Sequence, residues 1–330
     1  MDQILLEKGS LICEIIWMDI SFVIPCYCSE KNLEGVINEI EAAMKKREGF
    51  EYEIILVNDN SKDNTKGLIS RLSRDNSRII GINFAKNFGQ PNALLAGFNQ
   101  ASGKYIMTSD DDGQTPVGMV WDFYDKMQEG YDVVCAKYTE TTQKSAVRRF
   151  GTKVNEFMLY HMIDKPKDIG LSSFFMAKRF VVKEMVKYQN PYPYIAGLLL
   201  RTSGKIGNVH LKQRERATGK SGYNFRKLLK LWINGFTAFS IKPLRVGSAL
   251  GFISAVCGIL LGIASLIRKL LIPTIQVGYT SQMAVMLFLG GLILGVLGII
   301  GEYTGRIYMC INNQPQYVIE SIVKDGEDHL

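Results

Sequence analysis

Two phosphate-binding signatures are missing from this 330-residue chain. No Gly-x-Gly-x-x-Gly comes after the first predicted strand and no P-loop is present, which argues against a dinucleotide oxidoreductase and a P-loop ATPase. Cysteine is sparse. The six cysteines (13, 26, 28, 135, 257, 310) show no metal-ligand spacing beyond Cys26-Tyr27-Cys28, and read as reduced cytosolic thiols. The N-terminus lacks the features of a signal peptide, because no basic start precedes it and Glu7 and Glu14 interrupt any apolar core. Residues 1–17 read as an extension ahead of Met18, a second candidate start that stands directly before the first strand.

Charge is absent from two long stretches. Val246–Ile267 has no ionisable group except Cys257, and Leu270–Gly301 has none except Tyr279, its most apolar part being Met283–Ile300. Roughly 20 apolar residues cross about 30 Å of hydrocarbon, and both runs qualify. Neither offers the polar face of an ordinary core helix. Their glycines (Gly247, Gly251, Gly258, Gly262; Gly290, Gly291, Gly295, Gly298) suit close helix–helix contact. The net charge of +7 hides a local excess, since Arg201–Arg245 holds eleven Lys or Arg against one acid, Glu215. A basic block ahead of a span marks the cytoplasmic side. It suits an anionic lipid surface or an anionic substrate there, and its position against the membrane disfavours nucleic acid. Both termini are then expected in the cytoplasm, joined outside by a loop near Ile272–Thr280; Arg268 and Lys269 oppose this and are outnumbered.

Ahead of the spans, short apolar runs alternate with helical patterns. Strands are expected at Ile20–Ile24, Tyr52–Val57, Arg78–Ile82, Tyr105–Thr108 and Asp132–Ala136, with helices at Leu33–Lys46, Lys66–Arg74, Ala93–Ala101 and Val117–Gln128. This alternation implies an α/β fold, a Rossmann-like, mostly parallel sheet with helices on both faces. Ligands collect at the carboxyl ends of such strands. Phe225–Ser240, with Arg226, Lys227, Lys230, Trp232, Phe236 and Phe239 at helical spacing, reads as an amphipathic interface helix.

The chemistry lies in the segments that leave the strands. Pro25–Glu30 comes after the first, Asn58–Thr65 after the second and Asp110–Gln114 after the fourth; all are polar, acid-bearing and expected at one edge. Asp110 and Asp112, as alternate residues, point to one side. Carboxylates there suit a hard divalent cation completed by substrate phosphates. Alone, a three-Asp run favours a solvated loop or a helix N-cap before Pro116; beside two other acidic strand ends the balance turns to metal. Asp59 suits the N3 proton of uracil, and Asn-Asp-Asn-Ser is equally a plausible turn.

Val23–Tyr27 with Glu30, Val57–Thr65, Asn87-Phe88-Gly89, and the Asp-x-Asp-x-Gln at Asp110–Gln114 with Pro116 together resemble family 2 glycosyltransferases. The order and spacing are similar to the polyprenyl-phosphate branch, which includes dolichyl-phosphate mannose synthase and undecaprenyl-phosphate glycosyltransferases. The resemblance continues through Asp168-Ile169-Gly170, Arg216–Tyr223, Lys242–Arg245 and the paired spans, from Met18 to about Arg306. It implies a GT-A type domain in which Pro25, Tyr27, Glu30, Asp59, Asp110 and Asp111 bind the nucleotide. Asp110, Asp112 and Gln114 would handle Mg²⁺ or Mn²⁺ and the diphosphate. Asp168, with Asp112, would be catalytic, as base or acceptor-orienting group. Three departures stand out. Cys28-Ser29 replaces the usual Asn-Glu, and Asn58-Asp59-Asn60-Ser61 the usual Asp-Asp-Gly-Ser. Ser172–Phe175 stands where an arginine is often found, which shifts the acceptor-phosphate role onto Arg148, Arg149, Arg216 and Lys220, with Ser221 beside them.

The expected organisation is an extension (1–17), a cytoplasmic glycosyltransferase domain (18–223), amphipathic juxtamembrane helices (224–245), a two-helix transmembrane hairpin (246–304) and a cytoplasmic tail (305–330). The expected reaction is inverting transfer of a hexose from a nucleotide sugar to undecaprenyl phosphate at the cytoplasmic face of a bacterial inner membrane. UDP-glucose is the expected donor, with UDP-N-acetylhexosamine, another UDP-sugar and GDP-mannose left open. Related enzymes imply a homotetramer. A processive polysaccharide synthase would carry a Gln-x-x-Arg-Trp segment and more spans. A silent membrane scaffold would not need Asp59, Asp110, Asp112 and Asp168, and a flippase has little room in two spans.

Overall fold

The computed structural model of the chain describes residues 18–138, 160, 168–190, 193–211, 242–272, 278–312, 315–325 and 327–329. The expected N-terminal extension and the interface helix at 225–240 lie outside these residues.

Among the described residues nine strands form one sheet in the order β7-β5-β6-β4-β1-β2-β3-β8-β9. The parallel centre consists of β1 (Ile20–Cys26), β2 (Tyr52–Asn58), β3 (Ile79–Phe84) and β4 (Tyr105–Thr108). All four are buried along their whole length, as parallel strands covered on both faces must be, so apolar residues run almost continuously through them. The pleat sends alternate side chains to opposite faces. Phe22, Ile24, Ile54 and Leu56 pack with α1 (Leu33–Met44) and α4 (Val120–Gln128) in one core. Val23, Ile55 and Val57 pack in the other with α3 (Gln90–Gln100), α5 (Arg179–Val186) and α6 (Ile195–Thr202). A further helix, α2, spans Thr65–Asp75. Along α1 the buried positions Leu33, Val36, Ile37, Ile40, Ala43 and Met44 keep the helical repeat.

The fifth predicted strand is β5 (Val133–Tyr138), and the strands after it have no counterpart among those expected from the sequence. Between β5 and β4 sits β6 (Phe175–Lys178), antiparallel to both. Strand β7 (Ile206–Leu211) extends the sheet beyond β5. At the other edge β8 (Ile319–Lys324) pairs antiparallel with β3, and β9 (Glu327–His329) pairs with β8. The segment after the second span, expected only as a tail, thus returns to the sheet and buries Val323.

A buried acid ties together the centre of the sheet at the N-terminal ends of its strands. Glu53 Oε1 accepts from Ser21 Oγ at 2.5 Å, Ser102 N at 2.7 Å and Ser102 Oγ at 2.9 Å, and Gly103 N donates to Ser21 Oγ at 2.8 Å. A Cβ on Gly103 would meet Ser21 at 2.6–2.7 Å. All three bonds to Glu53 use one oxygen, which glutamine can supply. Glu53→Ala is therefore expected to cost about 1–3 kcal/mol through stranded buried donors, with Glu53→Gln close to wild type. Thermal unfolding midpoints of the detergent-solubilised protein check this.

Two long helices close the chain's apolar region, α7 (Lys242–Leu271) and α8 (Tyr279–Ile311). Each contains a stretch long and apolar enough to cross a membrane, Leu244–Ala264 and Phe288–Ile311, and almost nothing of either is buried within the chain. The glycine expectation needs correcting. A Cβ on Gly247 would lie 3.7 Å from Val296 and Ile299, whereas Gly251, Gly258, Gly262, Gly290, Gly291, Gly295 and Gly298 meet nothing within 4 Å. The helices approach near Gly247, and a Cβ on their other glycines would meet no described residue within 4 Å.

Candidate active site

Because β1, β2 and β4 run in one direction, the segments leaving their C-terminal ends meet at one edge of the sheet. Asp59, after β2, is buried. Its Oδ1 accepts from the backbone N–H of Phe88 at 2.6 Å and its Oδ2 from that of Gly89 at 2.8 Å. Gly89 caps α3 with φ near 88°, a left-handed conformation that favours glycine. Burial pushes the Asp59 carboxyl above its ordinary value, and the two N–H donors pull it part of the way back.

The three aspartates after β4 divide by direction. Asp111 turns toward β1, where its Oδ2 accepts from Tyr27 N at 3.0 Å and from the hydroxyl of Ser29. It clamps the Tyr27 backbone and leaves that ring exposed. Asp110 turns the other way: Oδ1 accepts from Gln90 Nε2 at 2.9 Å, and Oδ2 from Ser173 Oγ at 3.2 Å and Thr115 Oγ1 at 3.4 Å. Asp112 Oδ1 accepts from Gln114 N at 3.0 Å.

Burial is the main cause that raises the carboxyls of Asp110 and Asp111, and for Asp110 the neighbouring Asp112 charge adds to it. Burial with the charges of Asp110 and Asp112 pushes the Tyr138 phenol, at the end of β5, up to about 12. Two carboxylates that repel one another form an all-oxygen donor set suited to a hard divalent cation. Among the described residues no group of three or more His, Cys, Asp or Glu side chains converges on a metal position. Two carboxylates fit a cation that takes its other ligands from phosphates and water.

Glu30 joins the loop after β2: its N–H donates to Asp63 Oδ2 at 3.3 Å, and its Oε2 accepts from Asn64 N at 3.4 Å. Pro25 lies within β1. Asp168 is exposed beside β5, where its carbonyl accepts from Lys137 Nζ at 2.9 Å. Arg148, Arg149, Arg216, Lys220 and Ser221 lie outside the described residues. Sequence reasoning missed Gln90 and Thr115 as partners of Asp110, and Ser61 and Thr65, whose hydroxyls accept from Cys28 N at 3.0 Å and Ser29 N at 2.9 Å. Ser173 belongs to the segment that replaces the expected arginine, and the structure puts its hydroxyl on the aspartate cluster instead.

Comparison with known proteins places these features in a wider group. The description Glycosyl transferase family 2 matches residues 21–186, and GtrB C-terminal hairpin matches residues 242–307. The chain is 32% identical over 306 residues to an SfII prophage-derived bactoprenol glucosyl transferase of Shigella flexneri, covering 92% of this chain and 98% of that one. It is 30% identical over 312 residues to an undecaprenyl-phosphate 4-deoxy-4-formamido-L-arabinose transferase of Photorhabdus laumondii, covering 93% and 95%. Among solved structures, glucosyl-3-phosphoglycerate synthase from Mycobacterium tuberculosis, crystallised with Mn²⁺, UDP and glucosyl-3-phosphoglycerate, superimposes with a TM-score of 0.50 at 18% identity. It covers 67% of this chain and 78% of that one, a likeness of fold.

Proposed function

The chain belongs to glycosyl transferase family 2, and we propose that it transfers a hexose from a nucleotide sugar to a polyprenyl phosphate at the cytoplasmic face of the bacterial inner membrane. The observation that carries this reading is the convergence of Asp59, Asp110, Asp111 and Asp112 at one sheet edge, on a chain that also holds two membrane-length helices. Relatives named for bactoprenol and undecaprenyl phosphate, matched along nearly their whole length, support the lipid acceptor. The glucosyl transferase names favour UDP-glucose among the donors.

In this reading the nucleoside lies against the exposed Tyr27 ring and the Asp59 loop, and the diphosphate lies toward Asp110 and Asp112. Those two carboxylates would hold Mg²⁺ or Mn²⁺, whose chemistry is to shield the charge of the departing diphosphate. The acceptor phosphate is already anionic near neutral pH, so the protein has little proton to remove. A phosphate oxygen bonds to the anomeric carbon, the bond from that carbon to the diphosphate breaks on the opposite face, and configuration inverts. The work left to the side chains is to hold two anions in line and suppress their repulsion. Arg148, Arg149, Arg216 and Lys220, with Ser221, are proposed for the acceptor phosphate, and Asp168 for orienting it. The basic segment between Arg201 and Arg245 supports placing this edge near anionic lipid.

A panel of labelled UDP-glucose, UDP-N-acetylglucosamine and GDP-mannose, presented with undecaprenyl phosphate, tests donor and metal together. UDP-glucose is expected to label the lipid, EDTA to remove at least about 100-fold of the rate, and added Mg²⁺ or Mn²⁺ to restore it. Full activity in EDTA contradicts the metal assignment, and preference for another donor contradicts the sugar.

A further inference from the structure

The segment from Gln316 into β8 does more than extend the sheet. Five residues beyond the end of α8, Gln316 Nε2 donates to the carbonyls of Tyr188 at 2.8 Å and Asn190 at 2.7 Å, pinning the chain where it leaves the second apolar helix. From there three connections enter the loops that carry Asp59 and Tyr27. The Tyr317 ring stacks on Phe84, centroids 5.3 Å apart and planes 12° from parallel, and Phe84 meets Phe88 edge-on at 5.6 Å. Phe88 is the residue whose N–H donates to Asp59 Oδ1. Next, Val318 O accepts from Ala85 N at 3.0 Å, and Ala85 O accepts from Asn60 Nδ2 at 2.9 Å, one residue past Asp59. Finally, Ser321 Oγ accepts from Asn83 Nδ2 at 3.2 Å, Asn83 Oδ1 from Asn58 Nδ2 at 3.0 Å, and Asn58 Oδ1 from Ser61 N at 3.0 Å. Ser61 Oγ then receives the N–H of Cys28, next to Tyr27.

We infer that Tyr317 and Ser321 are positioning residues for donor binding, a strap from the second apolar helix that fixes the Asp59 and Tyr27 loops in their binding geometry. This rests on the reading that the nucleoside lies at those loops. The physical case is that three independent paths converge on two neighbouring loops, and that both loops hold residues at positive φ, Asn60 at 50° and Cys28 at 57°, which need outside contacts to persist. Burial and stacking hold Tyr317 through its ring, so phenylalanine should serve in its place.

The test uses the full chain in detergent micelles. Tyr317→Ala is expected to speed amide hydrogen exchange at Phe88 and Gly89 in the ligand-free protein. It is also expected to raise the Kd for UDP and the KM for the nucleotide sugar about fivefold, leaving the KM for polyprenyl phosphate unchanged. Ser321→Ala is expected to act in the same direction at Ser61 and Cys28. Tyr317→Phe restores both readouts, and Glu320→Gln, which removes only the charge of the exposed pair between β8 and Lys66 of α2, changes neither. Unaltered exchange in Tyr317→Ala overturns the strap, as does faster exchange with unchanged UDP affinity, or an equal rise in both KM values. Wild-type protein that binds no UDP overturns the nucleoside reading instead, and the exchange measurement still decides whether the strap holds the loops.

Discussion

Asp112→Asn is expected to lower sugar transfer by about 10²–10³-fold, mostly in kcat. The substitution keeps the shape and leaves an oxygen able to accept the Gln114 N–H, which Asp112 now holds at 3.0 Å. What it removes is one of two facing charges. Asp112 helps to raise the Asp110 carboxyl, so the pair shares one electrostatic environment. Removing one member should ease that repulsion in the free protein and weaken any cation held between them. The variant is therefore expected to fold as well as wild type and to fail in transfer. Titrating Mn²⁺ against activity separates the causes: partial recovery at high metal indicates lost affinity. Unchanged transfer at low metal would move the metal chemistry away from Asp112.

The second large effect is expected at Asp59. Both of its oxygens face N–H donors, so Asp59→Asn must turn an amide NH₂ toward either Phe88 N or Gly89 N. One buried donor is then stranded, at about 1–3 kcal/mol, or roughly 5- to 150-fold in donor affinity if the loop re-forms only on binding. Stability should respond differently. The folded-state carboxyl lies above its ordinary value of 3.8, burial being the larger cause. The native protein thus binds that proton more tightly than the unfolded chain does. Its stabilising contribution is present below the unfolded value and is lost as pH rises through the folded one. At neutral pH the buried charge is a burden on folding, and asparagine removes it while losing a hydrogen bond. The two effects oppose each other. UDP affinity is expected to fall while the unfolding midpoint moves little. A large drop in midpoint with unchanged affinity per folded molecule would make Asp59 a structural clamp only.

Much of this was readable in the chain. The parallel centre came from mostly apolar runs at 20–24, 52–57 and 105–108, each leading into an acidic segment, and strands parallel to one another send those ends to one edge. Asp110 and Asp111, adjacent at a strand end, take their partners on opposite sides. Strand β8 was hidden because its pattern is short and half exposed, and strand formation at an edge depends on a partner distant in sequence. Strand β6 was hidden for a related reason: Phe175–Lys178 is four residues long and gains its place by inserting between β4 and β5. The support behind the acids was equally non-local. Gln90, Thr115 and Ser173 are unremarkable as letters, and only folding brings their side chains onto Asp110.

A lipid phosphate as the acceptor is the assignment on which the proposed reaction turns. Purified protein in nanodiscs, given labelled UDP-glucose, can be offered undecaprenyl phosphate in one reaction and undecaprenol, identical but for the phosphate, in another. Label is expected in the organic phase with the first and absent with the second. Equal labelling of both, or label recovered only in water-soluble polymer, would contradict the assignment.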